Sequence, residues 1–95
     1  EEHSFVLSDG RKLRTLFELV DELETMAEEE FKKYVNEFKN DFANWVQDVF
    51  GEKGLAEELR RLQSKFDVQR AILKHMARDL KKLAGVTQST QSTQG

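Results

Sequence analysis

The chain has 95 residues and a formal net charge of −3, with 38% hydrophobic and 35% charged residues, the size and composition of one folded domain. It contains no cysteine and no proline, which excludes disulfides, thiolate zinc sites and cysteine nucleophiles and permits long helices. Its longest apolar runs span three residues, against the ~20 of a membrane-spanning helix, so we expect no membrane segment. A cytoplasmic location is the default expectation, although a chain without cysteine suits an exported protein equally well.

The N-terminal residues predict a β-hairpin followed by a helix. Residues 5–7 and 12–14 are β-prone, and the Ser8-Asp9-Gly10 cluster between them is typical of a turn. Thr15 stands three residues before Glu18, the spacing of a capping box, in which each side chain bonds to a free backbone N–H at a helix start. We therefore expect the first helix to begin immediately after Thr15.

Apolar residues then recur every three or four positions from Leu16 to Val49, which is the spacing of one helix face. A continuous helix of that length is unusual in so small a domain, so we expect interruptions. The acidic run at residues 28–30 suits the first turn of a helix, and Asp41 can cap another by accepting from the N–H of Asn44. These signals predict helices at 16–26, 28–38 and 42–50, although the sequence leaves open whether the first two are continuous.

The C-terminal half predicts two more helices and a tail. Gly51 is expected to end the third helix in a left-handed conformation. The apolar spacing after it predicts a short helix over residues 55–62 and a last helix over about 65–83, which Gly85 ends. Residues 85–95 repeat Thr-Gln-Ser triplets, which cannot bury apolar area, so we expect a disordered tail or linker after a folded domain at 4–84.

Together these elements predict an all-α fold, a compact bundle of four to five short helices with a small N-terminal β-hairpin laid on it. Aromatic side chains contribute most of the area that such a small core can bury. The expected core consists of the large apolar residues on the inner helix faces: Phe31, Phe38, Phe42, Trp45, Leu59, Ile72 and Met76.

Residues 39–46, Lys-Asn-Asp-Phe-Ala-Asn-Trp-Val, are the most distinctive stretch of the chain. The first interpretation is structural, a capped helix start whose two aromatic residues face inward. The indole N–H of Trp45 then needs an acceptor, which a nearby asparagine can supply. The alternative interpretation is a ligand or partner site formed by Asn40, Asp41, Asn44 and Trp45.

The same stretch carries a resemblance to a known family. From Phe5 to about Leu59 the order of motifs, with Asn-Asp-Phe-x-Asn-Trp at residues 40–45, resembles a family of small prokaryotic helical domains of unknown function. In that family a histidine usually precedes the Val-Asn pair and a serine or similar cap follows the methionine, whereas this chain has Tyr34 and Ala27 there. The resemblance implies a helical accessory domain without established chemistry, and it assigns no active site.

Residues with catalytic or metal-binding chemistry are few. The two histidines are His3, near the terminus, and His75, at the edge of the last apolar stripe, where a ring packed at the boundary of the core is the ordinary role. The acidic side chains of residues 22–30 lie along a helix surface, which spreads carboxylates apart instead of converging them on a cation. We therefore predict a non-enzymatic protein with no catalytic residue, no metal ligand and no cofactor.

The last helix carries a basic stripe in which cations recur every three or four residues: Arg70, Lys74, Arg78 and Lys81. Residues 1–50 have a net charge of −7 and residues 51–95 a net charge of +4. This asymmetry suits an acidic protein partner or the chain's own acidic half, while cations opposite an apolar stripe are also typical of an ordinary solvated helix face. Phosphate groups are the other ligand for such a stripe, although we expect no exposed aromatic residue on it for base stacking.

The sequence thus predicts a non-enzymatic interaction or accessory module of a larger protein or assembly, which binds a protein partner through a helix groove or a charged surface. One alternative is a nucleic-acid-binding module that uses the basic C-terminal helix. Others are a self-associating structural protomer and an enzyme with a polar pocket near Trp45. The identity of the partner and the oligomeric state do not follow from the sequence.

Overall fold

The computed structural model describes the backbone of residues 3–91 and the side chains of residues 3–82. Five α-helices and two small antiparallel strand pairs follow one another along this part of the chain. In chain order they are β1 (Phe5–Val6), β2 (Lys12–Leu13), α1 (Leu16–Thr25), α2 (Glu28–Tyr34), β3 (Val35–Asn36), β4 (Lys39–Asn40), α3 (Asp41–Phe50), α4 (Lys53–Arg60) and α5 (Lys65–Gln91). The predicted helical fold with an N-terminal hairpin is confirmed, and the second strand pair was not predicted.

The first hairpin forms where the sequence predicts it, with Phe5 opposite Leu13. Gly10 closes the turn with a φ of 93°, a conformation that glycine adopts without steric cost, and its N–H donates to the carbonyl of Leu7 at 2.9 Å. Two such short strands are marginal alone. The hairpin therefore depends on Leu7 and Leu13, which are buried in the common core.

The start and end of α1 are both tied by side chains. The Thr15 hydroxyl accepts from the N–H of Glu18 at 3.1 Å, as predicted. The Glu18 carboxylate bonds to the N–H of Arg14, one residue earlier than a capping box implies. Just beyond the last turn, the carbonyl of Met26 accepts from the buried ammonium of Lys65. A cation is favoured at a helix C-terminus, and this bond fastens α1 to the start of α5.

α1 and α2 are separate helices, which answers the question that the sequence leaves open. Met26 and Ala27 are extended, with ψ of 136° and 151°. No side chain caps α2, but the acidic residues 28–30 lie in its first turn, where the helix dipole favours negative charge. The predicted break before residue 28 is confirmed.

α2 ends at Tyr34, four residues before the predicted end at Phe38. Asn36 explains the difference, because its Nδ2 donates to the carbonyl of Lys32 at 3.0 Å and its Oδ1 accepts from the N–H of Phe38 at 2.9 Å. These bonds satisfy the last turn of α2 and form an Asx turn, after which β4 pairs with β3. Phe38 lies in this turn with 87% of its surface exposed, so its predicted place in the core is wrong.

α3 begins one residue earlier than predicted, and a different side chain caps it. The Oδ1 atom of Asn40 accepts from the N–H of Ala43 at 2.9 Å. The prediction that Asp41 caps by accepting from Asn44 is therefore wrong, because Asp41 is already the first helical residue. At the other end, Gly51 adopts the predicted left-handed conformation with a φ of 68°.

The core lies where α3 packs on α4 and where α5 packs on both α1 and α4. Most of the predicted core residues are buried: Phe31, Phe42, Trp45, Leu59 and Ile72. Met76 is half-buried against them. The ring of Phe42 is the centre of the aromatic contacts, with ring centroids 4.9 Å from Phe5, 5.2 Å from Tyr34 and 6.1 Å from Phe31. Except for Phe38, the aromatic residues of the predicted core fill the interior.

α5 continues through Gly85 to Gln91, so the prediction that Gly85 ends the last helix is wrong. Glycine inside a helix costs about 1 kcal/mol relative to alanine but does not terminate it. The domain boundary at residue 84 and the disordered tail at 85–95 stay predictions, and residues 92–95 of that tail lie outside the described residues. Within the described part of the chain, no helix has both the length and the apolar character needed to cross a membrane.

Candidate functional site

Asn40, the first residue of the predicted motif site, is bonded to the backbone through both ends of its amide. Its Oδ1 atom caps α3, and its Nδ2 atom donates to the carbonyl of Leu59 at 2.9 Å. Leu59 lies in the last turn of α4. Asn40 therefore joins the start of α3 to the end of α4, and its role is structural.

Trp45, the last residue of the motif, is also held inside the fold. Its side chain is 7% exposed, and its indole Nε1 donates to the backbone carbonyl of His3 at 3.0 Å. The predicted asparagine acceptor is therefore wrong. The ring packs edge-on against Phe5 and Phe50, with centroid distances of 5.6 and 5.1 Å. Trp45 thus holds the N-terminal segment against α3.

Asp41 and Asn44 are oriented differently, toward solvent and toward neighbouring cations. The Nζ atom of Lys39 lies 3.0 Å from Oδ2 of Asp41, and Nη2 of Arg60 donates to Oδ1 of Asn44 at 3.0 Å. Asn44 and Arg60, together with Asn40, also line a polar cavity of about 390 Å³ beside the exposed ring of Phe38. The predicted four-residue site is thus divided, with two side chains bonded inside the fold and two facing solvent.

Tyr34 occupies the position at which the resemblance implies a histidine. Its hydroxyl accepts from the N–H of Ser8 at 2.7 Å and donates to the Glu30 carboxylate at 2.6 Å. The Ser8 hydroxyl donates to the same carboxylate at 2.6 Å. The Ser8 bond first and the Tyr34 bond second lower the pKa of Glu30 below its ordinary value of 4.5. These three side chains join the first hairpin to α2 and bond to one another.

The acidic residues of α1 and α2 bond to different neighbours. Glu22 binds the guanidinium of Arg11 through both carboxylate oxygens, at 2.9 and 2.6 Å. Glu24 accepts from the side-chain amide of Gln69 at 2.9 Å, and Glu30 belongs to the network with Ser8. The carboxylates are therefore spread over the helix surfaces, as their spacing predicts.

The four cations of the predicted basic stripe are exposed along α5: Arg70, Lys74, Arg78 and Lys81. With about 3.6 residues per turn, their positions fall within an arc of about 80° on the helix. They make no ion pair or hydrogen bond with any side chain that the structure describes. Arg11, which is tied to Asp9 and Glu22, shows the opposite arrangement elsewhere on the surface.

An apolar strip runs beside these cations. Phe66, Leu73 and Leu80 are 52%, 47% and 65% exposed, and with the exposed Ala77 they occupy a neighbouring arc of about 60°. The expectation that no exposed aromatic accompanies the stripe is wrong at Phe66. We call the two strips together the α5 face: Phe66, Arg70, Leu73, Lys74, Ala77, Arg78, Leu80 and Lys81.

An apolar groove of about 410 Å³ lies between the start of α1 and the middle of α5. Its apolar walls are formed by Leu16, Phe17, Phe50, Met76 and Leu80. Three titratable side chains also line it, with the Nε2 atom of His75 3.4 Å from Oε1 of Glu52 and 3.5 Å from Oδ2 of Asp79.

Sequence reasoning placed His75 at the boundary of the core but missed its two carboxylate neighbours. His75 and Asp79 are four residues apart on one helix, a spacing from which their proximity could have been predicted. Glu52 comes from the loop before α4, and only the tertiary fold brings it close.

The chain matches a known protein family over nearly its whole length. A model of a family of unknown function (DUF5752) matches residues 1–94, and the chain belongs to this family. The predicted membership in a family of unknown function is thereby confirmed. No curated protein and no solved structure matches the chain, so its function is argued from its own residues.

Proposed function

We propose that this member of the family is a non-enzymatic protein-interaction module whose α5 face binds an acidic amphipathic segment of a partner protein. The observation that supports this proposal is the pairing of two strips on one helix face, exposed apolar side chains beside cations that have no partner in the described structure. Protein interfaces combine an apolar centre with complementary charge in this way.

The spacing on the face specifies the form of the occupant. The apolar strip of Phe66, Leu73, Ala77 and Leu80 recurs at intervals of seven, four and three residues, the spacing with which one helix packs along another. The basic strip runs beside it over the same turns. A partner helix with an apolar stripe and Asp or Glu residues on the corresponding flank therefore complements both strips.

The positions of the motif residues support a non-enzymatic function. The enzyme alternative requires a polar pocket near Trp45 with free polar groups, whereas Asn40 and Trp45 bond to backbone carbonyls. Tyr34 and Glu30 likewise bond to each other and to Ser8. These four residues thus hold the fold together, whereas Asp41 and Asn44 face solvent and bond to Lys39 and Arg60.

Nucleic acid is the second candidate ligand of this face, because four cations within one arc can neutralise phosphates. The apolar strip argues against it, since Leu73, Ala77 and Leu80 gain nothing from a phosphate backbone. Binding of single strands uses several stacking aromatics, and on the described part of the α5 face Phe66 is the one aromatic residue.

A second copy of the chain fits the α5 face poorly. A two-fold pairing of two α5 faces would bring the four cations of each copy together, and like charges across an interface are unfavourable. Two carboxylates, Glu58 and Asp67, line a cavity together with Arg70 and Lys74, so cations still outnumber carboxylates along the basic strip. The charge pattern therefore favours an acidic partner over self-association.

The experiment titrates the isotopically labelled chain with a designed helical peptide that carries leucines at heptad spacing and glutamates on one flank, followed by amide chemical shifts. We expect shift changes concentrated in α5. The double substitution K74E/R78E should weaken binding by about tenfold, since exposed ion pairs contribute up to about 1 kcal/mol each and about 1.4 kcal/mol corresponds to tenfold. The matched control K12E/K32E changes the net charge equally on other surfaces and should bind as the wild type does.

Two further ligands separate the candidates. A peptide in which serines replace the leucines keeps the charge and should bind more weakly, because it cannot cover the apolar strip. A short DNA duplex tests the second candidate, and tight duplex binding that falls steeply with salt, without peptide binding, would replace the proposal by nucleic-acid recognition. A dimer in sedimentation that K74E/R78E stabilises would instead identify the face as a self-association surface.

A further inference from the structure

Three potential metal ligands converge beside the apolar groove: Glu52, His75 and Asp79. The Nε2 atom of His75 lies 3.4 Å from Oε1 of Glu52 and 3.5 Å from Oδ2 of Asp79, and one ligand atom from each residue lies within 4.8 Å of the other two. Among the residues that the structure describes, this is the one group of three or more His, Asp and Glu side chains with such convergence.

The local structure explains why these side chains meet. His75 and Asp79 are four residues apart on α5, so they lie one turn apart on the same helix face. Glu52 precedes the first residue of α4, and its side chain makes no capping hydrogen bond to that helix. Its carboxylate is therefore free to turn toward His75, where α4 packs against α5.

The distances fit metal coordination better than hydrogen bonding. A hydrogen bond from a charged imidazole to a carboxylate would span about 2.7–2.9 Å, and His75 Nε2 is buried with no hydrogen-bond partner in the described structure. Ligands bound to zinc at about 2.0–2.1 Å in a tetrahedron lie about 3.3–3.4 Å from one another. The two separations from His75 Nε2, 3.4 and 3.5 Å, are close to that tetrahedral edge, and all three ligand atoms lie within 4.8 Å of one another.

We propose that Glu52, His75 and Asp79 bind one divalent transition-metal ion of the zinc type. One imidazole nitrogen with two carboxylate oxygens suits such an ion, whereas Mg²⁺ and Ca²⁺ prefer oxygen ligands throughout. Glu52 and Asp79 keep 40% and 53% of their side chains exposed, so the ion can enter from solvent, and three protein ligands leave a fourth position to water. The site joins α4 to α5 and does not depend on the α5 face binding a partner.

Calorimetric titration of the chain, purified without a histidine tag, with Zn²⁺ alone tests this proposal. We expect one ion per chain and a higher melting temperature in its presence, because binding to the native state stabilises it. The substitution H75Q should weaken binding by at least about 10–100-fold, the loss that follows removal even of an outer-shell partner. H3Q is the matched control, since His3 is the other histidine of the chain, and it should leave the affinity unchanged.

Further variants separate loss of the site from loss of the fold. D79N keeps the shape of an exposed side chain, so it should fold as the wild type does and still weaken zinc binding, as should E52Q. Mg²⁺ in place of Zn²⁺ should produce no stabilisation. The proposal is overturned if neither a heat of binding nor a rise in melting temperature appears up to about 1 mM Zn²⁺, the weak end of the Kd range of protein calcium sites. It is overturned equally if H75Q, D79N and E52Q all bind as tightly as H3Q.

Discussion

At the start of α3 the polar side chains bond to the chain itself, whereas along the α5 face four cations have no partner that the structure describes. Asn40 joins α3 to α4 through two bonds to backbone groups, and the Trp45 indole bonds to the carbonyl of His3. Arg70, Lys74 and Arg78 are exposed and unpaired among the described residues. In the sequence both regions are candidate partner sites, although the first interpretation of the motif is a capped helix start with inward-facing aromatic residues.

The same contrast holds for their apolar residues. Phe42, beside Asn40, is fully buried and contacts three other aromatic rings. Leu73 and Leu80 on the α5 face are about half or more exposed. A distinctive motif can thus serve folding alone, while a stripe typical of any surface helix keeps its charges and apolar groups available. The first region stabilises the fold, and we propose that the second binds a partner; both statements can be tested.

The strongest test of the first region is the substitution F42A. Removing a fully buried phenylalanine should lower the free energy of unfolding by about 3–5 kcal/mol, because it deletes apolar contacts and leaves a cavity. Chemical denaturation followed by circular dichroism measures the change. F38A is the matched control, since the exposed ring of Phe38 should contribute within about 0.5 kcal/mol. Equal losses in the two variants would show that the turn between β3 and β4 is packed in solution.

The cap of α3 provides a sharper test, because Asn40 caps the helix from a half-buried position while Asn44, four residues later, is exposed within it. N40A loses the cap of α3, worth about 1 kcal/mol, and the side-chain bond to the Leu59 carbonyl, worth about 0.5–1.5 kcal/mol because that carbonyl keeps the N–H of Leu62 as a donor. We expect N40A to lower the free energy of unfolding by about 2 kcal/mol in urea denaturation. N44A removes an exposed bond to Arg60 and should change it by no more than about 0.5 kcal/mol.

If N44A lowered the free energy of unfolding as much as N40A, the division of the motif into residues bonded inside the fold and residues facing solvent would be wrong. Loss of partner binding in N44A, without loss of stability, would instead move the binding surface to the cavity beside Phe38. Measuring both variants for stability and for peptide binding distinguishes these cases.

The elements of this fold could be predicted from sequence because periodicity and capping residues act locally. The Thr15 cap and the left-handed Gly51 are decided within a few residues of chain. Phe38 shows the limit, because its spacing continues the helical stripe but Asn36 bonds back to α2 and turns the chain first. Adjacent Asn40 and Asp41 are both good capping residues, and their order alone does not show which one caps.

The candidate sites depend more on tertiary structure. The basic strip follows from helical spacing, so four of its residues could be predicted. The exposed Leu73 beside it could not, since an apolar residue in an amphipathic helix is expected to be buried. Glu52 and His75 lie on segments that are distant in sequence, so their proximity could not be predicted. The spacing of His75 and Asp79 predicts only that these two side chains are neighbours on α5.

The smallest predicted effect is an increase in stability when Lys74 on the α5 face is replaced, whereas most substitutions lower stability. Arg70 and Arg78 lie four residues before and after it, and like charges at this spacing destabilise a helix by about 0.2–0.5 kcal/mol per pair. K74A removes two such pairs and introduces the best helix former, so it should raise the free energy of unfolding by about 0.5 kcal/mol in urea denaturation at low salt. K74Q separates charge from helix propensity, and the gain should shrink at high salt as the repulsion is screened.

A loss of more than about 1 kcal/mol in K74A would show that Lys74 has a structural partner, and the contrast between the two regions would fail at that residue. A gain in stability together with weaker peptide binding has the opposite meaning. It would show that the face keeps a cation at a cost to folding, which is the pattern expected where a residue is retained for binding and not for stability.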